Sequence, residues 1–142
     1  MPITRDTIAL THEGSLKALA AAVAKASEIA VPQCIFIVDA SGETLASLKM
    51  DGAKYLSMHT ALAKARTAAS INNATGKMAF EFGTSAGIAS HGGVTPLPGG
   101  LPIRFGGKLA GAIGVGSGSG GVRVKAVMPS MSSSSMEVSF AS

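Results

Sequence analysis

The chain has 142 residues, of which 46% are hydrophobic and 14% are charged, and a formal net charge of +4. This length is typical of one domain, and the composition is too apolar for a disordered segment. Its basic residues are scattered, and aromatic residues make up only 4% of the chain, so the basic stripe and stacking platforms of nucleic-acid-binding proteins are missing. The sparse charge favours a surface partly covered by a ligand or by sister subunits. No apolar run follows Met1–Asp6, and we therefore expect a soluble, cytoplasmic protein.

The single cysteine and the longest uncharged stretch exclude two further classes of protein. One cysteine, Cys34, cannot form an internal disulfide or a cysteine-based zinc site, and its neighbours Ile35–Ile37 predict a buried thiol. The stretch from Phe82 to Ile103 is long enough to span a bilayer, but it contains six glycines and three prolines. That composition predicts a loop, and we expect no membrane partner.

The first predicted element is a helix from Thr4 to Ala30, because the apolar residues recur at helical spacing. Thr4 or Thr7 is a candidate N-cap, and Pro32 closes the segment. The predicted apolar face consists of His12, Leu16, Leu19, Val23, Ala26 and Ala30. The many alanines between these positions indicate that another element packs very close to the helix.

A β-hairpin and a second helix follow. Cys34–Val38 and Thr44–Met50 have strand composition and flank a turn at Ala40–Glu43. The second helix is predicted from about Lys54 to Ile71 and is again rich in alanine. Lys77–Phe82 adds at most a short helical turn.

The remaining chain is dominated by glycine, since fourteen of the eighteen glycines lie between Gly83 and Gly121. Two apolar strands, Leu101–Phe105 and Lys108–Val115, are joined by Gly106–Gly107, a hairpin turn that requires positive φ. The two hairpins predict one antiparallel sheet with helices packed on it, an α+β fold. We divide the chain into a domain at residues 1–121 and a serine-rich, low-complexity tail at residues 122–142.

Five segments carry a resemblance to a known family: Val38–Gly42, Lys49–Ala53, Lys64–Ala68, Pro98–Ile103 and Gly107–Val115. In this order they resemble the HbpS/GlcG-like heme-binding family, which includes the C-terminal domain of PduO-type proteins. The resemblance implies a profilin- or PAS-like single domain that forms homo-oligomers. It also implies a heme or corrinoid ligand, in some members with a heme-degrading or redox-sensing role. The family usually has an acidic, alanine-rich terminal helix, whereas Glu137 is the only acidic residue in residues 122–142, and Glu137–Phe140 is either an added strand or disordered.

His12 is the candidate ligand for heme iron. A neutral imidazole suits that role, and the resemblance implies an iron-ligating histidine near the first helix. The alternative is a partly buried packing residue on the apolar face. His59 and His91 are interpreted as ordinary histidines, because no pair of histidines has metal-ligand spacing.

The segment Pro98–Pro102 is the strongest candidate for a ligand-binding loop. Gly99 and Gly100 allow backbone N–H groups to approach an anion or oxyanion, and Leu101 and Pro102 continue the segment into a strand. Arg104 would supply positive charge to the same pocket. The alternative is a tight connection that only leads into the strand.

Lys64 and Thr67 share a face of the second helix, because they are three residues apart. If Lys64 points inward, its ammonium group needs an anion or a carbonyl oxygen as partner. Heme propionates or a carboxylate substrate would serve. The alternative is an exposed lysine.

These residues support two main hypotheses of function. The first is a small-molecule binding protein, with heme or another tetrapyrrole as its ligand. The second is a cofactor-independent isomerase, cyclase or lyase acting on a small carbonyl or carboxylate compound, with Asp51, Lys64 and His91 as acid–base groups and the Gly99–Gly100 amides as an oxyanion site. Asp51 has an alternative interpretation as the N-cap of the second helix. A structural oligomer with an incidental pocket is the third possibility.

Overall fold

A computed structural model describes residues 1–116 and the two-residue strand Glu137–Val138. The elements are α1 (His12–Glu28), β1 (Cys34–Asp39), β2 (Thr44–Lys49), α2 (Ser57–Ile71), α3 (Phe80–Ala89), β3 (Gly100–Phe105), β4 (Lys108–Gly116) and β5 (Glu137–Val138). The predicted α+β class is confirmed. The predicted tail at residues 122–142 lies outside the described residues, apart from β5.

All strands belong to one antiparallel sheet with the order β2-β1-β4-β3-β5. Both predicted hairpins are present. The turn of the first includes Gly42 at φ +90°, and the turn of the second is Gly106–Gly107 at φ +54° and +76°. Glycine fits these turns because it adopts positive φ without steric cost.

Strand β1 divides the core into two layers, because successive side chains of a strand point to opposite faces. Ile35 and Ile37 pack in one cluster with Ala18, Ala22 and Ala26 of α1. Cys34, Phe36 and Val38 pack in the other with α2, through Ala61, Ala65, Ala68 and Ala69. The predicted burial of Cys34 is confirmed, since its exposed fraction is zero.

Helix α1 differs from the prediction in its start and in part of its buried face, since Ala26, Leu19 and Val23 of the predicted face do pack in or against the core. It begins at His12, because Thr11 is the N-cap and its Oγ1 accepts a hydrogen bond from Gly14 N at 3.0 Å. The buried residues are Ser15, Ala18, Ala22 and Ala26, whereas Leu16 is 58% exposed. The small side chains allow α1 to lie directly on the isoleucines of the sheet, and this close approach outweighs the burial of larger residues on the predicted face.

The start of α2 and the extent of α3 were also predicted wrongly. Helix α2 begins at Ser57 after Leu56, and no side chain caps it, so Asp51 is not its N-cap. Helix α3 spans ten residues and occupies the first part of the predicted loop. Its glycines are tolerated because they allow close packing: a Cβ at Gly83 would lie 2.7 Å from Cβ of Pro96.

Helix α2 contacts the sheet backbone to backbone. A Cβ at Gly114 of β4 would overlap the carbonyl oxygen of Ala61 and lie 2.6 Å from Ala65 N. A Cβ at Gly100 of β3 would overlap the carbonyl oxygen of Lys64. Alanine on the helix and glycine on the strands are therefore both required for this distance between the layers.

We expect Gly114→Ala to lower the free energy of unfolding by about 3 kcal/mol or more, because neither backbone can yield to the added methyl group. Urea unfolding followed by circular dichroism measures the change. The matched control is Gly106→Ala, where the added Cβ meets nothing within 4 Å and only the positive φ is unfavourable, at about 1 kcal/mol. Equal losses in the two variants would contradict the proposed backbone contact.

Candidate functional site

A cleft of about 1000 Å³ opens at one end of the molecule, at the upper end of the volumes that hold small ligands. Five segments of the chain meet there: the N-terminal segment at 5–9, the β1–β2 turn at 39–42, the second half of α2 at 66–70, the loop after α3 at 90–94, and the start of β4 at 108–110. The sheet and both helix layers thus bring together segments that are far apart in the sequence.

The walls of the cleft combine an apolar surface with basic side chains. The apolar contributors are Ile8, Ala9, Ala40, Ala69, Val94, Leu109 and Ala110. The basic side chains are Arg5, Arg66 and Lys108, all exposed. We call these three residues the basic rim. Such a cleft suits a ligand with an apolar body and anionic substituents.

Arg66 is the member of the basic rim whose position is fixed by the fold. Its Nε donates a hydrogen bond to the carbonyl oxygen of Gly42 at 3.1 Å. Its Cγ lies 3.3 Å from the position that a Cβ at Gly42 would occupy, so the side chain passes directly over the turn. The Nε bond leaves the terminal guanidinium nitrogens of Arg66 for other partners.

The two acidic residues of the cleft do not neutralise the basic rim through ion pairs. Asp39 Oδ1 accepts hydrogen bonds from Ser41 N at 2.9 Å and from Glu43 N at 3.0 Å, and its carboxylate thereby stabilises the turn. Asp6 is exposed in the N-terminal segment. The ion pairs between His12 and Glu13 and between Lys25 and Glu28 involve neither these two acids nor the basic rim.

None of the residues predicted for the site lines the cleft itself. The predicted loop is closed by internal hydrogen bonds, because Gly100 N donates to Thr75 Oγ1 at 2.9 Å and Thr75 N donates to the carbonyl oxygen of Gly100 at 3.0 Å. Leu101 and Pro102 are buried in β3. The Gly100 amide is thus not available as an oxyanion donor, and the alternative of a tight connection describes the loop better.

Arg104 and Thr67 both stabilise backbone rather than meet a ligand. Arg104 donates from Nε to Asn72 Oδ1 at 2.8 Å and from a terminal nitrogen to the Asn72 carbonyl oxygen, which satisfies the C-terminal end of α2. Thr67 Oγ1 donates to the Ala63 carbonyl oxygen at 2.7 Å and accepts from Thr95 N at 3.0 Å. Thr67 thereby anchors the loop that forms one wall of the cleft.

The acid–base groups of the enzyme hypothesis are not joined to one another. Asp51 is exposed in the segment between β2 and α2, and His91 is exposed after α3. Lys64 is only 5% exposed, and its Nζ donates to the Val115 carbonyl oxygen at 3.1 Å. No hydrogen bond or ion pair connects Asp51, Lys64 and His91 among the described residues.

The histidines lie at the surface. His12 is the first residue of α1, with a side chain that is 82% exposed and Nε2 at 3.7 Å from Glu13 Oε1. Its interpretation as a packing residue on an apolar face is therefore wrong. His12 follows the cleft residue Ala9 by three positions, and His91 lies between the cleft residues Ser90 and Gly93. His59 packs its ring edge-on against Tyr55, with ring centroids 5.6 Å apart.

Sequence reasoning missed the basic rim. Arg66 lies within Lys64–Ala68, one of the segments that carry the family resemblance, but only its neighbours Lys64 and Thr67 were predicted as site residues. Helical spacing could have separated them: Lys64 and Thr67 face the sheet, and Arg66 points away from it and is exposed. Arg5 and Lys108 line the same cleft as Arg66 only because of the tertiary fold, and no local pattern indicates it.

Burial of Lys64 lowers the pKa of its ammonium group below the usual 10.5. Between the lowered pKa and 10.5, the folded state binds fewer protons than the unfolded state, so the free energy of unfolding rises with pH. We therefore expect the wild type to become more stable relative to Lys64→Met as the pH rises from 7 towards 10. The quantity compared is the difference between their free energies of unfolding. Urea unfolding at several pH values measures it.

The control for that experiment is Lys17→Met at an exposed position of α1, which corrects for the change in net charge. The Met substitution also leaves the Val115 carbonyl oxygen without its donor, which destabilises the variant by about 1–3 kcal/mol at every pH. Only the pH-dependent part reports the buried ammonium group. A difference that stays constant over this range would contradict the lowered pKa.

Two structural features are not found among the described residues. None of the described helices has the length and apolar character that crossing a bilayer requires. The described residues also contain no cluster of three or more His, Cys, Asp or Glu side chains that could hold a metal ion.

Curated relatives cover most of the chain. An uncharacterised 15.0 kDa protein from the dhaT-dhaS intergenic region of Citrobacter freundii is 36% identical over 114 residues, which are 77% of this chain and 80% of that protein. The corrinoid adenosyltransferase PduO of Citrobacter freundii is 36% identical over 104 residues, or 70% of this chain, but the match spans only 31% of PduO.

Solved structures have the same fold. The ORFY protein of Klebsiella pneumoniae matches with a TM-score of 0.83 at 26% identity, over 94% of this chain and 97% of its own. A structure of PduOC in complex with heme matches with a TM-score of 0.76 at 26% identity, over 92% and 98%. The structure of HbpS matches with a TM-score of 0.76 at 30% identity, over 90% and 91%.

The family comparison covers the described domain almost entirely. The model of the family described as "Haem degrading protein HbpS-like" matches residues 10–124, which include α1 to β4. The resemblance inferred from five short segments is thereby confirmed: the chain belongs to the HbpS-like family.

Proposed function

We propose that this protein binds heme or a closely related tetrapyrrole in the cleft between the N-terminal segment and α2. The observation that carries the proposal is the pairing of an apolar wall with the basic rim in a cleft of about 1000 Å³. The proposal is supported by the heme complex of PduOC, which shares the fold over 92% of this chain.

The residues of the cleft fit the periphery of a heme better than its iron. A porphyrin has a flat apolar body that suits the small side chains Ala40, Ala69 and Ala110, and two propionates that suit the basic rim. Histidine, methionine, cysteine and tyrosine, the usual axial ligands of heme iron, are absent from those residues of the described chain that line the cleft. The bound iron would supply redox chemistry, but its ligand has to come from beside the cleft.

His12 is the proposed iron ligand. Its imidazole is exposed and lies on α1, three residues after the cleft residue Ala9, so the Cα atoms of the two residues are at most about 11 Å apart. No packing role occupies this side chain. His91 is the alternative, because Ser90 and Gly93 on either side of it line the cleft.

The finer roles suggested by the resemblance, heme degradation and redox sensing, stay predictions. The alternative of a cofactor-independent enzyme also stays a prediction, and the separate positions of Asp51, Lys64 and His91 weaken the acid–base set on which it depends. A cytoplasmic location is likewise part of the proposal.

A hemin titration followed by the Soret band tests the proposal and its ligand. We expect saturable binding to the wild type and a loss of about tenfold or more in affinity for His12→Ala, equivalent to ~1.4 kcal/mol, with a changed band position. His59→Ala is the matched control, because His59 lies on α2 and is not part of the cleft. His91→Asn tests the alternative ligand, since asparagine also adopts the left-handed φ of 54° found there.

Metal-free protoporphyrin IX separates iron ligation from pocket binding. If His12 ligates iron, His12→Ala weakens hemin binding and leaves protoporphyrin binding unchanged. Absence of saturable hemin binding in the wild type would contradict the proposed function. Loss of the Soret shift in His91→Asn, with His12→Ala unaffected, would reassign the ligand to His91.

We further propose that the chain forms a homo-oligomer through α3. This helix buries only Gly83 and exposes Phe80, Phe82 and Ile88 at 74%, 65% and 77%. Three large apolar side chains left exposed on one ten-residue helix are typical of an element that contacts another protein. A second copy of the chain is the proposed partner, in agreement with the homo-oligomer that the family resemblance implies.

Light scattering coupled to gel filtration tests the oligomer. We expect an assembly larger than 14.1 kDa for the wild type and a shift towards the monomer for the double variant Phe80→Ser/Phe82→Ser. The control is Leu16→Ser, which removes an exposed apolar side chain from α1. A monomeric wild type, or an unchanged assembly in the α3 variant, would contradict this proposal.

A further inference from the structure

The chemistry of the basic rim restricts which tetrapyrroles the cleft can accept. Natural tetrapyrroles differ in their peripheral groups: hemes and porphyrins carry free carboxylates, whereas the complete corrinoids carry neutral amides. A cleft with cations at its edge discriminates between these two classes by charge, and a cleft with amide partners would not. The basic rim therefore bears on a question that the fold leaves open, since relatives are associated with both heme and corrinoid.

Arg66 is the residue best placed to make this distinction. Its Nε is held by the Gly42 carbonyl oxygen at 3.1 Å, and its stem lies against the turn. The guanidinium thus loses less conformational freedom on binding than an unrestrained side chain would. Its terminal nitrogens are left to form the paired hydrogen bonds that arginine makes with a carboxylate.

The surrounding charges favour an anion at this position. Lys108 and Arg5 line the same cleft and carry the same sign as Arg66. Asp39 Oδ1 accepts hydrogen bonds from the amides of Ser41 and Glu43, and among the described residues neither Asp39 nor Asp6 forms an ion pair with the rim. The three cations outnumber the two carboxylates, Asp6 and Asp39, that line the same cleft, so the local field favours an anionic ligand.

We infer that Arg66, supported by Lys108 and Arg5, binds a peripheral carboxylate of the tetrapyrrole and selects carboxylate-bearing porphyrins over amidated corrinoids. This inference rests on the proposed function. It assigns Arg66 a role in specificity that is independent of the iron ligand, because the contact is made at the edge of the macrocycle.

A thermodynamic cycle between protein and ligand tests the inference. The wild type and Arg66→Gln are each titrated with protoporphyrin IX and with its dimethyl ester, which has the same ring and no free carboxylate. We expect the ester to bind the wild type about five- to tenfold more weakly than the acid, a range set by a charge-assisted hydrogen bond that remains partly exposed. In Arg66→Gln the acid and the ester should bind within about twofold of each other.

Two variants control for effects other than the contact. Lys49→Gln removes one positive charge from the exposed strand β2, outside the cleft, and should preserve the preference for the acid. Lys108→Gln removes a second rim charge without disturbing the bond between Arg66 and Gly42, and should reduce the preference even if Arg66→Gln alters the turn. Circular dichroism and the midpoint of thermal unfolding verify that each variant is folded.

The possible failures are distinguishable. If the wild type binds neither hemin nor protoporphyrin, the proposed function is wrong. If the wild type binds both, but the ester binds as well as the acid or the preference survives in Arg66→Gln and Lys108→Gln, the function stands and the inference is overturned. Hydroxocobalamin, an amidated corrinoid, is the last ligand to titrate against the wild type. We expect it to bind at least tenfold more weakly than hemin, and equal affinity would also overturn the inference.

Discussion

The fold depends on one contact, in which the backbone of α2 lies directly against the backbones of β3 and β4. Gly100 and Gly114 leave no room for even a methyl group below the carbonyl oxygens of Lys64 and Ala61. Such an approach gains dispersion energy along the whole helix but tolerates no increase in volume. The alanines of α2 and the glycines of the strands, whose small size is what the contact requires, are therefore the residues that fix the distance between the two layers.

The same contact determines what each side of α2 can do. The side towards the sheet encloses Lys64, whose Nζ must use the Val115 carbonyl oxygen because water is excluded. The opposite side carries Arg66 out to the β1–β2 turn, where Gly42 again permits a close approach. Two cations separated by two positions in the sequence thus have opposite environments, one desolvated and bound to backbone, the other at the edge of a cleft. Only the second can meet an anionic ligand without displacing the core.

Much of the fold could be predicted from the sequence, and little of the site. The hairpins followed from β-branched strands and from glycines at the turns, which are local signals. The face of α1 was predicted only in part: Ala26 is buried and Leu19 and Val23 pack at its edge, but Ala18 and Ala22, which allow the closest packing, were not expected there. The extent of α3 was missed because its glycines favour a loop locally, and their packing against Pro96 and Val94 exists only in the tertiary structure. The cleft joins five distant segments, and no periodicity within any of them indicates the others.

The segment Pro98–Pro102 was wrongly predicted as a ligand-binding loop because two adjacent glycines have more than one structural use. Adjacent glycines permit a backbone to approach either a ligand or another part of the protein, and the sequence alone does not distinguish the two. Here the Gly100 amide and carbonyl are both bound to Thr75, so the close approach serves the scaffold. The glycine that serves the cleft is Gly42, where the freed space is filled by the stem of Arg66. In a fold whose members share this scaffold, ligand choice is therefore expected to reside in the side chains that line the cleft, and the charge that α2 presents at position 66 is the feature of this chain that bears on it most directly.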